Sequence, residues 1–348
     1  MAKAELGVGL IGFGLSGQVF HLPFIRSHPQ LVLRAVQSRR PDAVQQSAPE
    51  AAVVPDTGTL LARDDIDLVV ITAPNELHFD LARQCLEADR HVLVEKPSVT
   101  RSEQMDQLLA LASVHQRHLS VYQNRRYDGD FVTLRSLVNQ RTLGTLRHLD
   151  TRFDRFRPEP RNRWREQAGV GTGIFWDLGP HLLDQVLTLL GRPKTVQADI
   201  RALRPGSQAA DWFELRLDYG ELQVSAGSTP YEAGRMRRFN ARFDEGSWQC
   251  WGLDPQEEAL RAGEQPDAAG YPHAGRQIAW QFDQAGKMEE LRIQAGDYRG
   301  FYRDLVSAIL DGGPPPVPAN EARDLIHLMA VLEESARSGR TLGWDYQS

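Results

Sequence analysis

The segment Gly12-Phe13-Gly14-Leu15-Ser16-Gly17 constrains this chain more than any other, because it directly follows a short apolar run, Leu6 to Ile11. Such a run reads as a buried strand. A G-x-G-x-x-G turn leaving it, with a helix candidate behind and another strand within about 30 residues, is the context of a dinucleotide-binding fold. Gly12 allows the tight turn, Gly14 lets the backbone approach a pyrophosphate, and Gly17 permits close helix–strand packing. The helix N-terminus adds N–H donors for the anion. Gly12, Phe13, Gly14 and Leu15 are therefore the first nucleotide-binding candidates. The bland alternative is a glycine-rich turn without a ligand, and the matching context argues against it.

The rest of the first third continues the same rhythm. Leu31 to Val36, Asp67 to Thr72, His91 to Glu95 and Leu119 to Tyr122 read as further strands, and Phe79 to Ala88 and Glu103 to His115 carry apolar residues at helical spacing. Alternating strands and helices predict a parallel sheet covered on both faces. After Tyr122 the rhythm changes. Helices are expected over Phe131 to Val138 and Ile174 to Leu190. Strands are expected over Thr145 to Phe156, Thr195 to Leu203, Trp212 to Leu217, Leu222 to Ala226 and Arg237 to Phe243. Gly263 to Gly275 reads as surface loop, and Asp297 to Leu310 and Glu321 to Ser335 as closing helices. The chain is thus expected to be α/β, with a Rossmann domain over 1–124 and an α+β domain with an antiparallel or mixed sheet over 125–348, its last helices free to pack back on the first. A length of 348 residues suits two such domains.

The turn after the second strand bears on the choice of nucleotide. An NAD-binding site usually offers an acidic residue there for the ribose 2′-hydroxyl. This chain has Gln37-Ser38-Arg39-Arg40 instead. The Ser38 hydroxyl and the Arg39 and Arg40 guanidiniums suit a 2′-phosphate, so NADP(H) is expected over NAD(H). A solvated basic turn is the competing reading.

Glu95-Lys96-Pro97 closes the fourth of these strands, at the carboxyl end where open parallel sheets bind ligands. Lys96 is therefore expected toward the nicotinamide end of the nucleotide. Together with Gly12 to Gly17, Ala73-Pro74-Asn75 followed by His78, and Gly173 to Asp184, it makes the chain resemble the Gfo/Idh/MocA family of nicotinamide-dependent oxidoreductases over nearly its whole length. Phe20-His21-Leu22-Pro23-Phe24-Ile25 and Gln123-Asn124-Arg125-Arg126-Tyr127-Asp128 resemble most the branch holding NADP-dependent scyllo-inositol dehydrogenases. The resemblance implies a second domain built on a large open sheet that packs against its counterpart in a homodimer or homotetramer. It also implies that Ala73, Pro74, Asn75, His78, Glu95 and Lys96 serve the nucleotide, and that Lys96 belongs to the catalytic set.

Asp177-Leu178-Gly179-Pro180-His181-Leu182-Leu183-Asp184 carries the acid–base candidates. On a helix Asp177 and His181 are i, i+4 neighbours, although Pro180 predicts a helix beginning near Gly179 with Asp177 just before it. Oxidising a secondary alcohol removes a hydroxyl proton as hydride leaves the same carbon. Neutral His181 suits that proton, Lys96 suits the developing oxyanion, and Asp177 suits orientation of a substrate hydroxyl or of the imidazole. The resemblance places catalytic residues at these positions. The competing reading is a helix-start histidine capped by Asp177 or Asp184 without chemistry. No metal is expected, since hydride transfer needs none and no third ligand is evident. Asn124, Arg125 and Tyr127, where the chain passes into the second domain, are substrate candidates, with Asp177, His181 and Trp164. Trp164 lies in a stretch from Arg152 to Arg165 holding six Arg and two acids.

Composition excludes other classes. Forty Lys+Arg against 46 Asp+Glu leave a formal net charge of -6, which argues against a general nucleic-acid binder. Cys85 and Cys250 lie far apart in neither a disulfide framework nor a zinc spacing, no run of apolar residues is long enough for a membrane, and no signal peptide is evident. A cytoplasmic setting is expected. The expected function is an NADP(H)-dependent oxidoreductase acting on a CH–OH group of a cyclic polyol, inositol-like, or of a sugar. An NAD(H)-linked sugar dehydrogenase, a variant using tightly bound NAD for transient oxidation, and a nucleotide-binding redox sensor without turnover are the alternatives.

Overall fold

A computed structural model describes residues 5–271 and 277–346, the side chain of Trp164 excepted. The chain opens with β1 (Leu6–Ile11), a wide π turn (Gly17–His21) and α1 (Leu22–Ser27), followed by β2 (Leu31–Gln37), α2 (Pro41–Ser47), β3 (Ala52–Val54) and α3 (Thr57–Leu61). Then come β4 (Leu68–Ile71), α4 (Asn75–Glu87), β5 (His91–Val94), α5 (Ser102–Val114) and β6 (Leu119–Val121). The six strands form one parallel sheet in the order β3-β2-β1-β4-β5-β6. Every residue of β1 and β4 is buried, as a parallel strand covered on both faces requires. The sheet winds one way from β1 to β2 and the other way to β4, so the glycine-rich turn leaves β1 at the point where the strand order reverses.

The second half runs through α6 (Gly129–Gln140), β7 (Leu146–Arg152), α7 (Gly173–Leu190), β8 (Thr195–Arg201), β9 (Trp212–Asp218), β10 (Gln223–Ser228), β11 (Arg237–Phe243) and β12 (Gly246–Trp251). It ends with α8 (Gln256–Arg261), β13 (Ile278–Asp283), β14 (Met288–Glu290), α9 (Arg299–Asp311), α10 (Ala319–Ser338) and β15 (Leu342–Gly343). Nine strands make a mixed sheet in the order β14-β13-β12-β11-β7-β10-β9-β8-β15, in which β10 and β7 run parallel and the other pairs antiparallel. The α/β class with a mixed second sheet is as the sequence predicts.

The described residues divide into two compact units, one of 5–124, 256–271 and 297–323, the other of 125–255, 277–296 and 324–346. In the first, α9 buries Phe301 and Tyr302, and Tyr302 stacks on Phe24 with ring centroids 5.6 Å apart. In the second, α7 lays Phe175, Trp176, Leu182, Leu183 and Val186 on the sheet, against Phe213, Leu215 and Ala226. The opposite side of β9 carries the half-buried Trp212 and Glu214 and the exposed Arg216, so the strand alternates as a one-sided sheet must.

Helix α7 differs from the sequence expectation. It begins at Gly173, and Pro180 lies inside it. An interior proline costs about 3 kcal/mol. Full burial of one large apolar side chain returns about 1.5–3 kcal/mol, and α7 buries several. Packing therefore outweighs the local rule, and Asp177 sits on the helix rather than before it. Strands β3, β12, β13, β14 and β15 carry no prediction above. The last part of the predicted loop Gly263 to Gly275 lies outside the described residues.

Candidate active site

At the end of β1 the chain turns at Gly12, whose φ of +92° suits glycine, and a Cβ there would lie 3.0 Å from the backbone of Thr72. A Cβ on Gly17 would lie 2.8 Å from the Gly12 carbonyl oxygen, so the helix can approach the strand only through a glycine. Gly14 faces open space, with nothing within 4 Å of where a Cβ would stand. A phosphate can therefore reach the backbone there. Two side chains brace the turn: Gln18 Nε2 donates to Phe13 O at 2.9 Å and Arg40 Nη2 to the same oxygen at 2.5 Å. Arg40 N in turn donates to Ser38 Oγ at 3.0 Å, while Arg39 is exposed and Leu15 is 55% exposed. These residues fit a dinucleotide, whose pyrophosphate would be held at Gly12 to Leu15 and whose adenosine end would be held at Ser38 to Arg40.

Glu95, at the end of β5, is the centre of a polar network that sequence reasoning missed. Its Oε1 accepts from Ser16 Oγ of the glycine-rich turn and lies 3.2 Å from His21 Nε2, while its Oε2 accepts from the Lys96 N–H at 3.0 Å. His21 is fully buried, with Nδ1 2.6 Å from the Tyr302 hydroxyl. Burial opposes ionisation of Glu95, but the hydrogen bonds from His21 and Ser16, and the charge of Lys96, hold the carboxyl at about 2. The carboxylate thus ties the phosphate turn, the lysine backbone and α9 together. Pro23 explains the wide turn that carries His21. It has no N–H for Val19, so the i→i−4 ladder fails there. Phe20 to Ile25 marks the stretch in sequence, but Tyr302 lies 281 residues from His21 and gives no local signal.

After β4, Ala73-Pro74-Asn75 leads into α4. His78 is buried, with Nε2 2.8 Å from Ala73 O and Nδ1 2.8 Å from Pro97 O. It braces the loops after β4 and β5 against each other, and Asn75 is buried beside it in the first turn of α4. The Lys96–Pro97 peptide is cis.

In the second unit Asp177 and His181 stand one turn apart on α7. Asp177 faces Arg165 at 3.7 Å, and His181 is 7% exposed. Asp184 receives a bidentate pair from Arg126, at 2.8 and 2.6 Å, with both residues buried. Arg125 is also buried, 3.1 Å from Asp128 and stacked 4.9 Å over Phe153, and its carbonyl accepts from Gln185 Nε2 at 2.7 Å. Gln185 Oε1 accepts in turn from the fully buried Arg238, which also donates to Thr151 Oγ1 at 2.6 Å. A polar layer beneath His181 therefore fixes the roll of α7. Asn124 and Tyr127 are half-buried in the 3-10 turn Asn124–Tyr127. Trp164 opens a 3-10 turn, Trp164–Glu166, and its side chain lies outside the described residues. Among the described residues no group of three or more His, Cys, Asp or Glu side chains is arranged to hold a metal ion, and no helix is long and apolar enough to cross a membrane.

Comparison with known proteins agrees with this geometry. Residues 6–123 match the model of an oxidoreductase family with an NAD-binding Rossmann fold, and residues 131–249 match the Gfo/Idh/MocA C-terminal domain. The uncharacterised oxidoreductase YdgJ of Escherichia coli is 39% identical, over 97% of this chain and 98% of its own. The scyllo-inositol 2-dehydrogenase (NADP(+)) IolW of Bacillus subtilis is 33% identical, over 96% and 95% respectively. Among solved structures, YPO2259 from Yersinia pestis superposes with a TM-score of 0.94 at 36% identity, covering 100% of this chain and 99% of that one. The chain belongs to the Gfo/Idh/MocA family. It is an NAD(P)-dependent oxidoreductase acting on CH–OH groups.

Proposed function

We propose that this enzyme transfers hydride between NADP(H) and a secondary alcohol or ketone of a cyclic polyol, inositol-like, or of a sugar. The observation that carries the reading is a pair of fixtures. The Lys96 backbone is clamped by Glu95 at the end of β5, and Asp177 and His181 share one face of a braced helix. The bound nucleotide supplies the hydride acceptor or donor. Lys96 and His181 share proton transfer and stabilisation of the substrate oxygen, and Asp177 orients a substrate hydroxyl or the imidazole. In this reading the division after Asn124 separates two jobs: the first part holds the nucleotide, supplies Lys96 and ends on the substrate contact Asn124, and the second supplies His181 and the further substrate contacts Arg125, Tyr127 and Trp164.

The preference for NADP(H) is supported by Ser38-Arg39-Arg40 standing where an acidic residue would favour NAD(H), and by Arg40 being held on the phosphate turn itself. A relative named as NADP-dependent and acting on scyllo-inositol points the same way. A homo-oligomer formed through the second sheet, in the cytoplasm, completes the proposal. Its open face carries half-exposed ion pairs, Arg152 with Glu214 and Arg242 with Asp150, each at 2.7 Å. A panel of inositols, aldoses and ketoses, followed at the nicotinamide absorbance band with each nucleotide, tests the reading. Turnover of a member with a higher kcat/KM for NADP(H) is expected. A preference for NAD(H) overturns the nucleotide assignment, and silence across the panel overturns the substrate class.

A further inference from the structure

The second unit holds a cavity of about 260 Å³ where the segment after β7 meets the start of α7. Arg155, Arg157, Arg163, Arg165 and Arg204 line it, against three acids, Glu166, Asp177 and Asp211. The acids are already engaged. Glu166 and Asp211 hold Arg204, at 3.0 and 2.9 Å, and Asp177 faces Arg165 at 3.7 Å. Arg155 stacks 5.0 Å over Phe153. The five arginines exceed the three acids by two, and neither Arg157 nor Arg163 has a carboxylate within 4 Å among the described residues.

Three further features of the wall favour an anion. Burial, together with the positive charges of Arg155, Arg161 and Arg163 and against the opposing charge of Glu166, pushes Arg157 down to about 10, so cations outweigh the nearby carboxylate in the field it feels. The first residues of α7, Gly173 and Ile174, line the cavity, and this 18-residue helix has no acid in its first turn. Thr172 does not cap it, its hydroxyl donating instead to Gly169 O at 2.8 Å. The Ile174 N–H is already taken by Ala210 O at 2.7 Å, so the helix adds to the arginines through its dipole rather than through that donor. A neutral polyol requires none of this charge, whereas a phosphate or carboxylate pairs with guanidinium in charge-assisted, bidentate fashion.

Asp177 lines this cavity, and His181 lies one helical turn, about 5.4 Å, along α7. We propose that the physiological substrate carries an anionic group, a phosphate monoester or a carboxylate, and that Arg157 and Arg163 bind it in this cavity while its alcohol is presented to Asp177 and His181. The inference rests on the oxidoreductase reading above and narrows its substrate class to an acidic polyol or sugar.

The test is calorimetric titration of the full-length protein saturated with NADP⁺, so that the glycine-rich turn is already filled, at an ionic strength held constant with KCl. The probes are inorganic phosphate, myo-inositol 1-phosphate, glucuronate and myo-inositol. Saturable binding of phosphate and of one organic anion is expected, at least tenfold tighter than myo-inositol. The stronger of myo-inositol 1-phosphate and glucuronate then identifies the phosphate or the carboxylate source. Arg157→Ala is expected to weaken the anion at least tenfold. Arg163→Glu, at an exposed position where folding is not at stake, is expected to do the same with nucleotide binding unchanged. No saturable anion binding, or unchanged binding in both variants, overturns the proposal. If neutral polyols are turned over while no anion binds, the oxidoreductase reading stands and this one falls. If anions bind at Arg157 and Arg163 with no turnover of any polyol or sugar, the cavity stands and the substrate reading falls.

Discussion

Glu95 shows how a single side chain sets both stability and geometry here. Its carboxyl is held at about 2, below an unfolded value near 4.3, so the stabilisation it gives is complete above about pH 4.5 and is lost as pH falls toward 2. Glu95→Gln removes the charged acceptor from His21, Ser16 and the Lys96 N–H together. A loss of about 1.5–3 kcal/mol is expected, with a flatter decline of stability between pH 5 and pH 3 than in the parent, read by denaturant melts across that range. The two cysteines mark the opposite extreme. Burial pushes the Cys85 thiol up to about 12 and the Cys250 thiol higher still, so a thiol reagent at pH 8 should label neither in the native protein and both after denaturation. Rapid native labelling would contradict their placement in the core. At this scale sequence was a good guide wherever one residue type does one thing: Gly12 and Gly17 are read from spacing alone. It marked the stretch around His21 but was silent on its pairing with Tyr302, a contact made across most of the chain.

Among the elements, α7 teaches most. Pro180 predicts a late start, yet the helix runs from Gly173 because its apolar face is buried along almost its full length. Its roll is set by Asp184, which pairs with Arg126 in the core. Asp184→Asn removes the carboxylate charge facing a buried guanidinium, and a cost of about 3–5 kcal/mol is expected from thermal or denaturant unfolding. Lowered kcat should accompany it even where the variant is fully folded, since His181 rides on the same helix. The glycine-rich turn makes a parallel case. Gly17→Ala puts a methyl 2.8 Å from Gly12 O, so the turn must shift, and an NADPH Kd raised at least tenfold is expected, about 1.4 kcal/mol. Strands such as β1 and β4 are legible because continuous apolar runs have one reading in a parallel sheet. Strand β3 is three residues long and β14 is fully exposed, so neither carries a pattern to read.

For the whole molecule, the sequence was clear on class and less so on assembly of the chain. The alternation of strands and helices in the first third, and the cluster of strands after it, gave the two sheets. Residues 297–323 join the first unit through packing of Phe301 and Tyr302 on Phe24 and Tyr122, and residues 256–271 through Arg261 over Phe20, contacts that no local pattern announces. Nucleotide should stabilise the folded protein by mass action, about 2.7 kcal/mol at a concentration 100-fold above Kd, and the rise in melting temperature with NADPH should exceed that with NADH. The proposed chemistry requires Lys96 and His181 to act on one substrate with NADP(H). Its most direct test is steady-state turnover of Lys96→Ala and His181→Ala beside the parent, with NADPH affinity measured by nicotinamide fluorescence. A loss of at least 100-fold in kcat in each variant, about 2.7 kcal/mol, with NADPH affinity retained, is the result expected. Near-parental turnover in both, with the nucleotide still bound, would contradict it.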